Sequence, residues 1–270
     1  GPNGIGKSTA INLLSGAFRA NLGDWRNPSP EWEEVIKSFP RGELRDYLGL
    51  VSEGEVSIAV KPQYIDKLPR IFDGKVSALL RRVDDREELE KLSELMGVDH
   101  IQDRSLGDLS GGELQRVAIC ATLLKEADVY FFDEPSSYLD IYERMRMVRV
   151  IRELAEIGKR ILVVEHDLAI LDVLCDLTHI IYGERSAYGI FTPPRSTRTA
   201  INAYLEGFLP EENIRIREKP IQFLRGRNRG EEAGDPILKW GDIGKNLGGF
   251  DLRTGEGQVK SAEVVGVVGP

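Results

Sequence analysis

The sequence begins with GPNGIGKS at residues 1–8, a pattern typical of phosphate-binding loops. It matches G-x-x-x-x-G-K-S at every fixed position. Glycines there let backbone N–H groups wrap a chain of phosphates, and a helix predicted from Ser8 to Leu14 adds the positive end of its dipole. The lysine reaches the outer phosphates and the serine hydroxyl binds Mg²⁺. The predicted nucleotide-binding residues of this loop are Asn3, Gly4, Ile5, Gly6, Lys7, Ser8 and Thr9.

A buried strand with an acidic end supplies the partner that such a loop requires. Residues 129–134 read VYFFDE, an apolar run that fits a buried parallel strand and ends in two acids. We predict that Asp133 holds the Mg²⁺ shell together with Ser8, and that Glu134 polarises the attacking water. The loop and the strand end together predict phosphoryl transfer from a nucleotide.

The amino-acid composition argues against a membrane-spanning protein, a uniformly basic nucleic-acid binder and a disulfide-rich protein. The chain has 270 residues, 41% of them hydrophobic and 30% charged, and no run approaches the roughly 18 apolar residues that a membrane-spanning helix requires. The formal net charge of -8 excludes a nucleic-acid binder that is basic throughout. Cys120 and Cys175 are too few for a disulfide framework, so we predict a reducing, cytoplasmic location with no membrane partner.

Strands and helices alternate along most of the chain. Helical spacing follows Ser110 and recurs from Met147 to Leu154, while Ile161 to Val164 forms another buried apolar run. This alternation predicts an α/β fold, a mostly parallel sheet with helices on its faces.

An insertion separates the phosphate loop from the next strand. Ser29-Pro30-Glu31 is a helix-start signal, and a second helix is predicted from Arg41 to Leu48. Residues 28–49 are therefore a predicted helix-loop-helix insertion. Glu55 to Val60 alternates polar and apolar residues, as a strand does, and ends before Pro62.

The stretch LSGGELQR at residues 109–116 combines a helix start with exposed backbone. Ser110 followed three residues later by Glu113 forms a capping box. Gly111 and Gly112 follow the cap and expose N–H groups that can hold a terminal phosphate. We predict a capped helix and, at the same place, a phosphate contact that has no lysine of its own.

The order of these motifs resembles the nucleotide-binding domains of ATP-binding cassette (ABC) proteins. The phosphate loop is followed by Gln63, LSGGE, FFDEP, SSYLD and EHD in the order of that family. The resemblance implies a phosphate-loop NTPase fold of ABC type, here truncated at both ends, with ATP and Mg²⁺ as cofactors. It also implies that two such domains pack head to tail, with ATP between the loop of one and the LSGGE segment of the other.

By the same resemblance, individual positions take the roles known in the family. Gln63 corresponds to the glutamine that senses Mg²⁺ and the γ-phosphate, His166 to the histidine that steadies the phosphate, and Asp140 to the interface-loop acid. The implied metal ligands are Ser8, Gln63 and Asp133. The implied catalytic residues are Glu134 and His166. The segment implied to act in trans, across the interface, comprises Ser110, Gly111, Gly112 and Glu113.

Three segments resemble the class E cassette proteins, the RNase L inhibitor family of ribosome-recycling ATPases. They are KPQYIDKLP around Gln63, FFDEPSSYLD and VVEHDLAILD. The insertion resembles the helix-loop-helix that this family adds to its first cassette. The resemblance implies that residues 1–182 are the first cassette, 183–219 a hinge and 220–270 the start of a second cassette.

In that family, two cassettes follow an amino-terminal iron–sulfur domain and split ribosomal subunits with release factors. The implied partners are the second cassette, the small ribosomal subunit and a release factor. Because VVGVVGP at residues 264–270 ends in the Gly-Pro with which the loop begins, the chain reads as one repeat of a longer protein. Iron–sulfur clusters are expected only in the missing amino-terminal domain, and this fragment alone is expected to hydrolyse ATP weakly or not at all.

Residues 215–229 contain six basic side chains, although the whole chain is acidic. A solvated face accounts for most such runs, and a contact with ribosomal RNA phosphates is the sharper hypothesis. The residues of the run are Arg215, Arg217, Lys219, Arg225, Arg227 and Arg229.

Two other functions remain open for the sequence as a whole. The ATPase subunit of an ABC transporter shares these motifs, and its insertion would then contact a membrane partner. A nucleotide-gated clamp would occlude ATP with little turnover, and steady-state phosphate release separates it from a hydrolase.

Overall fold

A computed structural model describes residues 4–24, 26, 29–223, 235–246, 248, 251–261 and 264–266. The chain divides into two compact units, Gly1–Ile221 and Gln222–Pro270. The predictions made for Asn3, Arg225, Arg227 and Arg229 fall outside the described residues.

The first unit alternates helices and strands. Its helices are α1 (Lys7–Leu14), α2 (Trp32–Ser38), α3 (Glu43–Glu53), α4 (Leu68–Ile71), α5 (Val76–Arg82), α6 (Leu89–Leu95), α7 (Gly111–Leu123), α8 (Ile141–Glu156), α9 (Leu168–Leu174) and α10 (Thr197–Glu206). Its strands are β1 (Ile58–Lys61), β2 (Val129–Asp133), β3 (Arg160–Val164), β4 (Leu177–Thr178), β5 (Ile181–Glu184), β6 (Tyr188–Phe191), β7 (Arg195–Ser196), β8 (Phe208–Leu209) and β9 (Ile214–Arg215). Among the described residues, no helix combines the length and the apolarity needed to cross a bilayer.

A parallel sheet with the order β1-β2-β3 forms the centre of this unit. Every residue of β2 is buried, and its side chains alternate between two cores. Tyr130 and Phe132 belong to the main core, which α5, α7 and α8 also line, whereas Phe131 packs with Ile11 of α1 on the other face. Helices on both faces explain why this strand reads as a continuous apolar run. The predicted α/β fold is confirmed.

The helix-loop-helix insertion is present as α2 and α3. Val35 of α2 and Leu48 of α3 are fully buried, and the Tyr47 hydroxyl donates to the Leu14 carbonyl at 2.8 Å, which ties the insertion to α1. The predicted end of the second helix at Leu48 is wrong. The helix continues to Glu53 and ends before Gly54, which has φ +74°, because a left-handed residue is what terminates it.

The strand predicted over Glu55 to Val60 is also shorter than expected, since β1 begins at Ile58. Ser57 faces a competing partner, because its backbone N–H and its hydroxyl both donate to Asp128 Oδ2, at 2.9 and 2.6 Å. Because Asp128 directly precedes β2, these bonds join Ser57 to the start of β2 through a side chain, and the paired strand begins one residue later, at Ile58.

The predicted hinge, residues 183–219, has regular structure within the first unit. It contains part of the antiparallel hairpin β5–β6, together with α10 and the pair β8–β9. Ala200, Ala203 and Leu209 form a small core with Ile180. The assignment of these residues as a hinge, and the boundaries at 182 and 219, stay predictions.

The described part of the second unit contains antiparallel strands. The strands are β10 (Pro236–Trp240), β11 (Ile243–Asn246), β12 (Asp251–Thr254) and β13 (Gly257–Lys260). β10 pairs with β13 and β11 with β12, and the Trp240 indole donates to the Gly255 carbonyl at 3.0 Å. That these residues begin a second cassette stays a prediction.

Both cysteines are free thiols, Cys120 buried and Cys175 half-buried. Burial raises the pKa of Cys120 to about 12 and the pKa of Cys175 to about 11. Since the thiolate is the reactive form of cysteine, both thiols are inert near neutral pH.

Candidate functional site

The phosphate loop leads directly into α1. Gly4 and Gly6 adopt φ +82° and +96°, a left-handed conformation that glycine reaches without strain. Gly6 stands at the N-cap of α1 and carries no side chain to cover the helix start, so the positive end of the dipole faces the loop. The backbone therefore has the shape that the sequence predicts for binding phosphates.

Ser8 and Asp133 meet at the end of the sheet. The Ser8 hydroxyl donates to Asp133 Oδ2 at 2.9 Å, across 125 residues of sequence. Burial raises the pKa of Asp133, and the hydrogen bond from Ser8 opposes that effect. The other carboxylate oxygen, Oδ1, is buried and has no hydrogen-bond partner among the described residues. A buried carboxylate oxygen without a donor requires an explanation.

The Ser8–Asp133 pair fits Mg²⁺. Mg²⁺ prefers oxygen ligands and is usually held by one or two carboxylates together with substrate phosphates. Ser8 uses its proton on Asp133 and keeps its oxygen lone pairs, and Asp133 Oδ1 points to no protein donor in the described chain. The described residues contain no cluster of three or more His, Cys, Asp or Glu side chains that would form a complete protein cage for a metal.

Glu134 is the meeting point of two distant predicted residues. Gln63 Nε2 donates to Glu134 Oε1 at 3.0 Å, and His166 Nε2 lies 3.0 Å from the same oxygen. The Glu134 side chain is 20% exposed and the His166 side chain 37% exposed, so the cluster is partly accessible to solvent. The structure thus brings Gln63, Glu134 and His166 together beside the Ser8–Asp133 pair.

Lys7 has an electrostatic environment that suits a phosphate ligand. Burial lowers the pKa of Lys7, whereas the nearby carboxylates of Glu134 and Asp133 raise it. A phosphate chain would add negative charge beside this ammonium and favour its charged form.

The LSGGE segment forms the predicted capping box. Ser110 Oγ accepts from the Glu113 N–H at 3.3 Å, and Glu113 Oε2 accepts from the Ser110 N–H at 2.8 Å. Gly111 and Gly112 lie close to Tyr138. A Cβ at Gly111 would lie 3.2 Å from the Tyr138 ring, and a Cβ at Gly112 would lie 3.1 Å from the Tyr138 carbonyl oxygen. A side chain at either position would therefore require Tyr138 to shift by a few tenths of an ångström. The action of this segment in trans stays a prediction.

Asp140, the implied interface acid, caps a helix in this chain. Its Oδ1 accepts from the Glu143 N–H at 2.9 Å at the start of α8. Its neighbour Tyr138 is 65% exposed and has φ +64°. The interface role of Asp140 stays a prediction beside the capping role that the structure places on it.

Two buried side chains that sequence reasoning missed hold the backbone at Glu134. Lys61 Nζ donates to the carbonyl of Asp133 at 2.9 Å, and Gln115 Nε2 donates to the carbonyls of Glu134 and Pro135 at 3.0 and 2.8 Å. Both side chains are fully buried. The available signal was a lysine at the end of a strand and a glutamine within the apolar part of a helix.

The hairpin β5–β6 supports the phosphate loop from outside. The Ser186 N–H donates to the Gly4 carbonyl at 2.9 Å. A Cβ at Gly189 would lie 1.9 Å from the Ile5 carbonyl oxygen, so only glycine permits this approach. The sequence assigned these residues to a hinge and did not connect them with the loop.

The chain is similar to several known proteins. A family model described as ABC transporter matches residues 1–137. An uncharacterized ABC transporter ATP-binding protein of Methanocaldococcus jannaschii is 44% identical over 270 residues, which cover 100% of this chain and 44% of that protein. Translation initiation factor RLI1 of Saccharomyces cerevisiae is 39% identical over 277 residues, which cover 100% of this chain and 45% of the factor.

Two solved structures resemble the chain along its length. One is the complex of archaeal ribosomal stalk protein aP1 and archaeal ribosome recycling factor aABCE1, with TM-score 0.87 and 45% identity, covering 100% of this chain and 52% of that chain. The other is a model of ribosome-bound archaeal Pelota and ABCE1, with TM-score 0.90 and 45% identity, covering 100% and 45%. The chain spans less than half the length of the two curated relatives named above.

Proposed function

Because the chain belongs to the ATP-binding cassette family, and within it to the class E or RNase L inhibitor group, we propose that it binds Mg²⁺-ATP and hydrolyses the γ-phosphate bond. One observation carries the proposal. Gln63 and His166 converge on a single oxygen of Glu134, each at 3.0 Å, directly after the residue that bonds Ser8. Such an arrangement orients one carboxylate toward a reacting water.

The residues divide the work of hydrolysis between binding and proton transfer. Lys7 and the loop amides bind the phosphates, while Ser8, Asp133 and the Gln63 side-chain oxygen would hold Mg²⁺. Bound Mg²⁺ neutralises charge that develops on the phosphate oxygens. Glu134 accepts the proton of the attacking water, and His166 steadies the γ-phosphate beside it. Positioning and charge neutralisation supply most of the rate, since phosphoryl transfer needs little covalent chemistry from the protein.

Replacing His166 with alanine tests this arrangement. We expect kcat to fall about 10- to 100-fold and the ATP dissociation constant to change less than about threefold, because the imidazole acts on the reacting end of ATP. Phosphate release and equilibrium binding of a fluorescent ATP analogue measure the two quantities.

The matched control for this variant is His100→Ala. His100 is a surface histidine whose imidazole lies 3.7 Å from Asp99, and its loss should leave both quantities unchanged. Equal rates in His166→Ala and the unmodified protein would contradict the role proposed for His166.

We further propose that the productive site forms between two cassettes. The support is that the LSGGE segment exposes a helix start, yet its side chains bond within the described chain only to one another and to Arg104. A second cassette would supply phosphates to this segment, and its own segment would cover ATP bound here. On this proposal, residues 1–270 alone hydrolyse ATP weakly.

We propose ribosome recycling as the process that uses this ATPase. The support comes from relatives, because one is named a translation initiation factor and two structures hold a ribosome recycling factor or a ribosome-bound complex. The proposed partners are the small ribosomal subunit, a release factor and, through the basic run, ribosomal RNA. We also propose a cytoplasmic location, because ribosomes act there, and we propose that iron–sulfur clusters belong to an amino-terminal domain outside this sequence.

Ribosomal subunits provide the test of this process. We expect steady-state phosphate release by the full protein to rise about tenfold or more when ribosomes and a release factor are added, because closure on the partner assembles the site. Sucrose gradients should show free subunits appear in parallel. ATP binding without phosphate release, with or without ribosomes, would favour the nucleotide-gated clamp instead.

A further inference from the structure

Lys61 is a buried cation that the proposed chemistry does not use. It is the last residue of β1, and its side chain is 0% exposed. Its Nζ lies 2.9 Å from the carbonyl oxygen of Asp133 and 3.4 Å from that of Glu134. These two carbonyls belong to the residues proposed to hold Mg²⁺ and to activate water.

An apolar residue would be the ordinary occupant of this position. Burying an ammonium is costly unless it is hydrogen-bonded and compensated by charge, and burial lowers the pKa of Lys61 to about 8. Lys61 forms no ion pair within 4.0 Å among the described residues, although Asp133, Glu134 and Glu165 act on it from a distance. Its hydrogen bonds go to the backbone carbonyls of Asp133 and Glu134, so Lys61 stabilises the backbone conformation at these two residues.

The backbone at Glu134 needs such support. Glu134 has φ +48°, a left-handed conformation that costs a non-glycine residue free energy and persists only where the surroundings hold it. The Glu134 N–H donates to the Val164 carbonyl at 2.9 Å, and its carbonyl accepts from Gln115 at 3.0 Å as well as from Lys61. The peptide groups on both sides of Glu134 are therefore held by buried partners.

We propose that Lys61 is a positioning residue for ATP hydrolysis, whose ammonium holds the carbonyls of Asp133 and Glu134 so that the Glu134 carboxylate stays between Gln63 and His166. The inference rests on the proposed ATPase function and adds a residue to it. Lys61 acts through the backbone of Glu134 and does not touch ATP.

Replacing Lys61 with methionine, which keeps the length and apolar stem of the side chain, tests the proposal. In the full protein we expect kcat to fall about 10- to 100-fold, because displacement of a catalytic group by about 1 Å costs that much. The dissociation constant for ATP should stay within about threefold, since the loop and Lys7 are untouched. Phosphate release and binding of a fluorescent ATP analogue give the two values.

Two further variants separate positioning from general loss of stability. Thr122→Val removes another buried hydrogen bond, from Thr122 Oγ1 to the Ala118 carbonyl at 2.9 Å inside α7, and should leave kcat unchanged. Gln115→Met removes the other side chain that donates to the Glu134 carbonyl, so it should lower kcat as Lys61→Met does. If Lys61→Met does not fold, Gln115→Met still tests whether hydrolysis depends on holding this carbonyl. A loss of kcat matched by Thr122→Val would overturn the proposal.

A double variant decides whether Lys61 acts through Glu134. In the Glu134→Gln background, Lys61→Met should lower the single-turnover rate less than about twofold, because the group that it positions is already removed. An additional tenfold loss in that background, or an equal loss of ATP binding and kcat in Lys61→Met alone, overturns the inference. Full hydrolysis by Glu134→Gln itself would instead show that another group activates the water, and the absence of ATP hydrolysis by the unmodified protein would refute the proposed function.

Discussion

Glu134→Gln should reduce ATP hydrolysis at least about 100-fold and leave ATP binding nearly unchanged, because general-base catalysis contributes roughly 10²- to 10⁴-fold. A glutamine oxygen at this place can still accept from Gln63 and lie beside His166, which now share Glu134 Oε1 at 3.0 Å. The amide cannot take a proton from water. The variant therefore keeps the hydrogen-bond geometry around residue 134 and removes the group that accepts the proton of the attacking water.

Single-turnover phosphate release and equilibrium binding measure the two effects of Glu134→Gln in the full protein. The variant should also accumulate with ATP bound and its cassettes closed, which size and scattering measurements detect. Glu153→Gln is the control, because Glu153 is a surface acid that pairs with Arg149 at 3.1 Å. Hydrolysis by Glu134→Gln at the rate of the unmodified protein would show that another group activates the water.

Gly189→Ala should disrupt the phosphate loop from outside the loop itself. The added methyl would lie 1.9 Å from the Ile5 carbonyl oxygen and 3.1 Å from its carbonyl carbon, and a backbone carbonyl cannot turn aside as a flexible side chain can. Ile5 is itself buried, so the loop and the hairpin β5–β6 must separate. We expect the free energy of unfolding to fall by about 1–3 kcal/mol and ATP affinity to fall about tenfold or more, since the loop amides no longer converge on the phosphates.

Denaturant unfolding and binding of a fluorescent ATP analogue measure both effects of Gly189→Ala. Gly49→Ala is the matched control, because Gly49 lies within α3 and an added Cβ there would meet nothing within 4 Å. That substitution should leave ATP affinity unchanged and stabilise the helix by about 0.5–1 kcal/mol. Unchanged affinity and stability in Gly189→Ala would mean that the loop does not depend on the hairpin.

The parts of the site that follow from local sequence could be predicted directly. The capping box joins Ser110 to Glu113, three residues apart, and the glycine conformations of the loop belong to the loop itself. The apolar run of β2 identified the strand and Asp133 at its end. The resemblance in motif order brought in Gln63 and His166, whose shared contact with Glu134 is visible only in three dimensions.

The positions that sequence reasoning missed depend on pairing between distant segments. Lys61 is opposite Phe132 in the parallel register of β1 and β2. That register brings its ammonium to the carbonyls of Asp133 and Glu134, the next two residues after Phe132. Gln115 lies on a helix that packs beside the same segment. The local signal of each residue, a lysine at a strand end and a glutamine in the apolar part of a helix, does not indicate this role, because such residues are most often solvated.

The phosphate loop, the acidic strand end, the capped LSGGE helix and the α/β class follow from the amino-acid sequence, because each depends on residues close together in the chain. The tertiary structure decided that Lys61 is buried beneath Asp133 and Glu134, that Gly189 contacts Ile5, and that α3 extends to Glu53. The physical reason is that burial and close backbone approach are properties of packed surfaces, and packing joins residues whose separation in sequence carries no local pattern.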